Sequence, residues 1–360
     1  MTGTAVSTSA QARRRAAAAD VWLFPGLLLL LILAAIVAAG IGAAGIPLSR
    51  LPAALGLATS ASDPVLLARD QLVLWSIRLP RIAMAGTIGA LLAAGGTIMQ
   101  GLFRNPLADP ALVGVSSGGA LAAAATIVIG DRLLSGIALP FEMLPAAAFI
   151  GALATTLLLH AIATTSGRTS VAVFLLAGLA ISALAGAALG LLVFIADDRQ
   201  LRDITFWMLG SLGGATWNKA AVLTPFLLAL LVLIPAIARG LDLMVLGEAE
   251  AFHMGVEVER LKRLSIVLVS AMTGAAVSFA GVIGFVGIVV PHLLRLAIGP
   301  GHRRLLPASA CAGAILLLLA DTAARTLAAP AEVPIGVLTA LVGAPFFLVL
   351  LLRQRGLVGL

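Results

Sequence analysis

The sequence predicts an all-α, polytopic integral membrane protein of about ten transmembrane helices, and three observations predict it. Hydrophobic residues make up 61% of the chain and charged residues only 11%, with a mean hydropathy of +1.12, where a soluble domain holds about 45–50% and about 25%. Apolar runs long enough to cross a bilayer recur from end to end. Small residues recur within them, including Gly86, Gly89, Gly95 and Gly96, and later Ala183, Gly186 and Gly190. Such residues let backbones approach closely where no hydrophobic effect drives helices together.

The first run, 23–44, follows Arg13, Arg14 and Arg15. A charged start before an apolar run suits a signal peptide, but this run is too long and lacks a convincing cleavage site. It reads as an uncleaved first helix behind a flexible cytoplasmic tail, residues 1–20, with residues 21–360 forming a single membrane domain. The second run, 82–100, is preceded by Arg78-Leu79-Pro80-Arg81, two positive charges at its mouth. After it, Asn105 and Asp109 are turn formers and Pro106 and Pro110 stop the helix, which makes a rigid turn into the third run, 111–130. The fourth run is 144–163. Thr169 and Ser170 precede the fifth, 171–196, as possible N-cap residues.

A polar stretch from 196 to 212 carries Arg199 and Arg202, three apart on one helix face. The sixth run is 221–238. Between it and the seventh, residues 243–256 read as a small amphipathic helix with Leu246, Ala249 and Phe252 at spacing three and glycines Gly247 and Gly255 at its ends. Two readings of this helix stand: a knob that docks into a groove on a soluble partner, or a helix lying on the membrane surface. Runs seven and eight, 264–280 and 284–298, are separated by glycines that mark close contacts, a break or a short helix. The ninth, 307–327, contains Asp321 well inside the span, with Arg325 one turn later and placed to pair with it. The tenth is 335–352.

The net charge of +7 is a statement of topology, since basic residues gather in inner loops. With the N-terminus inside, the inner loops hold Arg13 to Arg15, Arg260, Lys262, Arg263, Arg303, Arg304 and others, outnumbering the outer set. Both termini then lie in the cytoplasm, and nucleic acid is not the partner. Cys311 is the single cysteine, which excludes an internal disulfide. A phosphate-cradling loop needs a lysine followed by Ser or Thr; Lys219 precedes Ala220 and Lys262 precedes Arg263. The chain therefore has no such ATP site, and no catalytic constellation is apparent.

Several long motifs occur in a characteristic order. They are Arg78-Leu79-Pro80-Arg81, Arg104-Asn105-Pro106-Leu107-Ala108-Asp109-Pro110 with Gly114-Val115-Ser116-Ser117-Gly118, and Trp207-Met208-Leu209-Gly210. Further on come Leu246-Gly247-Glu248, Gly284-Phe285-Val286-Gly287 with Pro291-His292, Asp321 with Arg325, and Glu332-Val333-Pro334-Ile335-Gly336. From about 78 to 353 the chain resembles the FecCD-type permeases, membrane subunits of bacterial ABC importers for iron-siderophores, haem and vitamin B12.

The resemblance implies a type II ABC importer permease fold in the inner membrane and a homodimer around the substrate path. It also implies two ATPase subunits that carry ATP and Mg, and a periplasmic binding protein. It implies ATPase coupling through Leu246, Gly247, Glu248, Ala251, Phe252 and Gly255. Docking of the binding protein falls to Arg78, Arg81 and Arg325, where Arg325 keeps its alternative as Asp321's ion-pair partner. Thr169 and Ser170 match the cytoplasmic gate, and 196–212 matches a periplasmic gating segment. Its Gln-Leu-Arg and Phe-Trp pattern looks closest to the haem branch, with Arg199 and Arg202 facing haem propionates or, equally, pairing with Asp198 or Asp203. Haem is thus the expected cargo, with siderophore or vitamin B12 as the alternative and an ion-coupled carrier as the rival class. His160, His253, His292 and His302 all fall near the cytoplasmic side, so neither a resident metal nor a bound cofactor is expected.

Overall fold

A computed structural model describes residues 3–42, 45–58, 63–110, 114–130 and 143–358. Each of the ten expected runs that lies in these residues coincides with a helix. Helix α1 covers Gly3–Gly40, a short α2 covers Leu51–Ala54, and α3 (Pro64–Leu72) continues through a π-helical stretch, Val73–Arg78, into α4 (Leu79–Leu102). Next come α5 (Val115–Ala125), prolonged by a π turn at Thr126–Gly130, and α6 (Met143–Ala163). A two-residue hairpin of β1 (Thr164–Thr165) and β2 (Arg168–Thr169) leads into α7 (Val171–Ile195), followed by α8 (Asp198–Leu209), α9 (Trp217–Met244) and α10 (Glu248–His253). The chain closes with α11 (Val258–Ala280), α12 (Val286–Ile298), α13 (His302–Thr326) and α14 (Ile335–Val358).

Seven helices are long and apolar enough to cross a membrane, and three shorter apolar ones, Val115–Gly130, Val286–Ile298 and Ile335–Leu350, complete the set among the described residues. The first helix begins before the apolar run. Residues 3–20 are not a separate tail but the start of α1; alanine is the best helix former, and the run from Ala16 to Ala19 carries the helix into the apolar part. Residues 111–113, the expected start of the third span, lie outside the described residues.

Helix α4 is the axis of the bundle and packs against α9, α11, α12 and α13. Its glycines make this possible. A β-carbon on Gly96 would lie 1.9 Å from the Gly287 carbonyl oxygen of α12, and one on Gly89 would lie 2.2 Å from that of Gly313 on α13. Backbones in direct contact tolerate no side chain between them. The fifth run behaves differently from the expectation: a β-carbon added to Gly186 or Gly190 of α7 would meet nothing within 4 Å. Helix α7 leans on its own chain along Phe174, Gly178 and Ala185 and leaves Leu176, Leu179, Leu184, Leu191 and Phe194 exposed.

The glycine-rich stretch between runs seven and eight is a break followed by a short helix. Helix α11 stops at Ala280, Gly281 adopts a left-handed φ of +70° against the Trp207 carbonyl, and α12 restarts after Phe285 at φ +69°. The two ends of the bundle are thereby defined. One end carries the β1–β2 hairpin and α10; the other carries α8, the end of α1 and the α13–α14 turn.

Candidate functional site

At the α10 end, the chain between α9 and α11 folds back on itself. Gly247 adopts φ +128° and Gly255 φ +86°, conformations open to glycine and costly for other residues, so the two glycines bracket the helix as the sequence expects. The helix itself is shorter than the expected 243–256: its first residues belong to the last turn of α9 and the turn that follows. Ala251 is fully buried and anchors α10. Leu246 at 62% and Phe252 at 67% exposure point away from the chain, together with Val245 and Met254. An exposed apolar patch on a loop helix suits a partner's groove or a membrane surface.

Glu248 faces the other way, toward Lys262 of α11. Lys262 is 2% exposed, and its ammonium donates to Glu248 Oε2 (2.8 Å), Glu259 Oε1 (3.0 Å) and the Thr169 carbonyl (3.0 Å). An ammonium has three donors, and here all three are used. Glu259 Oε2 in turn accepts from the Thr169 backbone N–H at 3.0 Å. Both backbone groups of Thr169 are therefore tied to the first turn of α11.

The Thr169 hydroxyl lies 3.0 Å from that of Thr164 across the hairpin, and Ser170 caps α7 by accepting from the Val173 N–H. The N-cap reading of Ser170 holds, whereas Thr169 is a buried member of the hairpin. In the sequence Lys262 stands out only as a lysine outside any phosphate loop. Its i,i+3 spacing from Glu259, one turn inside an apolar span, is the available signal for its role.

At the α8 end, the arginines expected to receive a partner's carboxylates point inward. Arg81 is 6% exposed, clasps Asp321 through Nε and Nη2 at 2.8–3.0 Å, and reaches Glu332 through Nη1 and Nη2 at 2.8 and 2.9 Å. Arg325 Nε lies 3.2 Å from Asp321 Oδ2. Its other nitrogens donate to the Ala38 and Ile41 carbonyls, and Arg78, 3% exposed, donates to the Ala39 carbonyl. Two of these cations thus sit on the last-turn carbonyls of α1, where unsatisfied acceptors and the helix dipole favour positive charge. The physical reason for this inward placement is Asp321: a carboxylate inside an apolar bundle must be paired, and Arg81 and Arg325 both serve it. The expected Asp321–Arg325 pair is present, but the sequence missed Arg81 as the stronger partner and Glu332 as the second carboxylate of the cluster.

Helix α8 is fixed at its start by a capping box in which Asp197 accepts from the Arg199 and Gln200 N–H groups and Gln200 Oε1 accepts from the Asp197 N–H. It overhangs a cavity of about 550 Å³ lined by Arg199, Asp203, Phe206, Trp207, Lys219 and Phe279, among others. Arg199 lies 4.0 Å from Asp203, both largely exposed. Arg202 does not line this cavity, so the two arginines expected to act together are split. Among the described residues no group of three His, Cys, Asp or Glu side chains is placed to hold a metal ion. His302 is held by Asp242 at 2.9 Å and His292 stacks edge-on against Phe346.

The comparisons with known proteins match this architecture. The model of the FecCD transport family matches residues 28–353. The hemin transport system permease protein of Yersinia pestis is 50% identical over 280 residues, 78% of this chain and 83% of that protein. The cobalamin import system permease protein of Halobacterium salinarum is 45% identical over 285 residues, 79% of this chain and 74% of that one. A solved structure of a metal-chelate type ABC transporter in an inward-facing conformation superposes with a TM-score of 0.79 at 35% identity, covering 92% of this chain and 98% of that one.

Proposed function

Because this chain belongs to the FecCD transport family, we propose that it works as the membrane permease of an ATP-driven importer and that its cargo is haem. The observation that carries the cargo is the 50% identity to a hemin permease over more than three quarters of the chain. The 45% identity to a cobalamin permease supports vitamin B12 as the second reading.

In this reading two copies of the chain face each other across the path, in the inner membrane, with both termini and the α10 end in the cytoplasm. The bare glycines and exposed leucines of α7 support a second copy on that face. Two ATPase subunits, which bind ATP and Mg, each receive one α10 through Leu246 and Phe252. The chain's own lysines do not serve a nucleotide: Lys262 is saturated by its own chain.

A periplasmic binding protein docks on the α8 end. Arg78, Arg81 and Arg325 shape that end from beneath, Arg81 holds Glu332 at the surface, and Arg199 at the cavity mouth meets the cargo's carboxylates. Nucleotide binding moves α10, the gate at Thr169 and Ser170 follows, and the path opens to one side at a time. The ion-coupled carrier is disfavoured by Asp321, whose charge is already clamped by two arginines.

The test is uptake into proteoliposomes holding the chain with its ATPase, supplied with haem-loaded binding protein. Haem accumulation that requires ATP is expected. Accumulation of cobalamin but not haem moves the assignment to the second reading, and uptake driven by an ion gradient through the chain alone overturns the importer.

A further inference from the structure

We propose that Lys262 is the positioning residue through which movement of α10 reaches the start of α7. The proposal rests on the importer reading and adds to it the physical connection.

The geometry sets out three arms on one nitrogen. The first, to Glu248, is the sole side-chain bond from α10 to this nitrogen, and the Glu248 side chain is 41% exposed, at the rim. The second, to Glu259, lies within α11 and holds the lysine upright. The third, to the Thr169 carbonyl, reaches the hairpin that starts α7, 93 positions earlier in the chain. Because Glu259 also binds the Thr169 N–H, the hairpin is clasped by both of its backbone groups and cannot slide along α11 without breaking charge-assisted bonds. Those are stronger than bonds between neutral groups.

The ammonium is buried and its donors are exhausted, so a displacement of Glu248 leaves it with two choices. It moves with the carboxylate and draws on Thr169, or it gives up a bond that water is poorly placed to replace. The groups facing it from every packed element are Glu248 of α10, Glu259 of α11 and Thr169 of the hairpin, two negative charges for one positive. A nonpolar side chain of equal length fills the space and transmits nothing.

The test compares wild type, Lys262→Met, Lys262→Arg and Glu248→Gln, each assembled with ATPase and binding protein in proteoliposomes, by cargo taken up per ATP hydrolysed. Lys262→Met removes all three bonds of the ammonium, and with them the link between α10 and the hairpin; a ratio lower by at least about tenfold is expected, with most of it regained in Lys262→Arg. A ratio equal to wild type in Lys262→Met overturns the proposal, as does a Lys262→Arg complex as deficient as the methionine variant, which reduces the site to packing. Should Lys262→Met fail to assemble, Glu248→Gln, altered at a partly exposed carboxylate, carries the same reading: a lowered ratio supports the connection and an unchanged one rejects it. Failure of the wild type to show any ATP-driven uptake is a different result and counts against the importer itself.

Discussion

A single carboxylate, Asp321, organises the α8 end of the molecule. Charge inside an apolar bundle is retained only where it is matched, and here Arg81 and Arg325 match it while Glu332 balances Arg81. Removing one partner leaves the other charge buried and alone, at a cost of about 3–5 kcal/mol. Arg81→Ala is therefore expected to lower the thermal unfolding midpoint in detergent strongly. Glu332→Gln, at a side chain 42% exposed, should shift it little; equal shifts in the two variants contradict this account. The sequence showed Arg325 beside Asp321 because a helical turn is a local relation. Arg81 was invisible as a partner because it lies 240 positions away, and no periodicity connects residues that far apart. The same holds for Lys262, whose link to Thr169 crosses 93 positions, whereas its link to Glu259 was there to be read.

At the scale of elements, the spans were legible because hydrophobic length and helical period are properties of short stretches. The loop helix α10 was legible too, from its bracketing glycines, whereas α8 was expected only from the family resemblance, although its capping box at Asp197 and Gln200 is a local signal. What sequence did not distinguish was which small residues pack. Gly96 of α4 sits in backbone contact with Gly287, while Gly186 of α7 faces open space, and the two look alike in a list. Their substitutions should not. Gly96→Val is expected to force α4 and α12 apart and abolish monodisperse protein in size-exclusion chromatography, whereas Gly186→Ala, which meets no atom of its own chain, should leave the protein folded and monodisperse. Normal behaviour of Gly96→Val would contradict the close crossing.

For the whole molecule, the contrast lies between a packed interior around α4 and a periphery in which α7 exposes most of its length. An apolar helix face of this kind meets either lipid or a second protein, and the family relation favours a second copy of the chain. A cysteine placed at Leu191, 70% exposed, in a chain with Cys311 replaced by alanine, is expected to cross-link two copies in native membranes. Persistent absence of a cross-linked species, with Leu176 and Leu184 giving none either, would place lipid on that face. Span order, unlike partnership, was readable from the beginning, since apolar runs are written along the chain.

The light attachment of α7 has a mechanical meaning. It is an unbroken helix of 25 residues, about 37 Å long at 1.5 Å per residue, and its buried contacts begin with Phe174 close to the hairpin. From that point to Ile195 is about 31 Å of lever arm. A tilt of about 5° about Phe174 displaces the far end by about 3 Å, while the end beside Thr169 moves by only a few tenths of an ångström. If movement of α10 reaches the hairpin as proposed, small travel there is multiplied several-fold at the mouth beneath α8, with the helix as a lever whose short arm is held by Lys262 and Glu259 together.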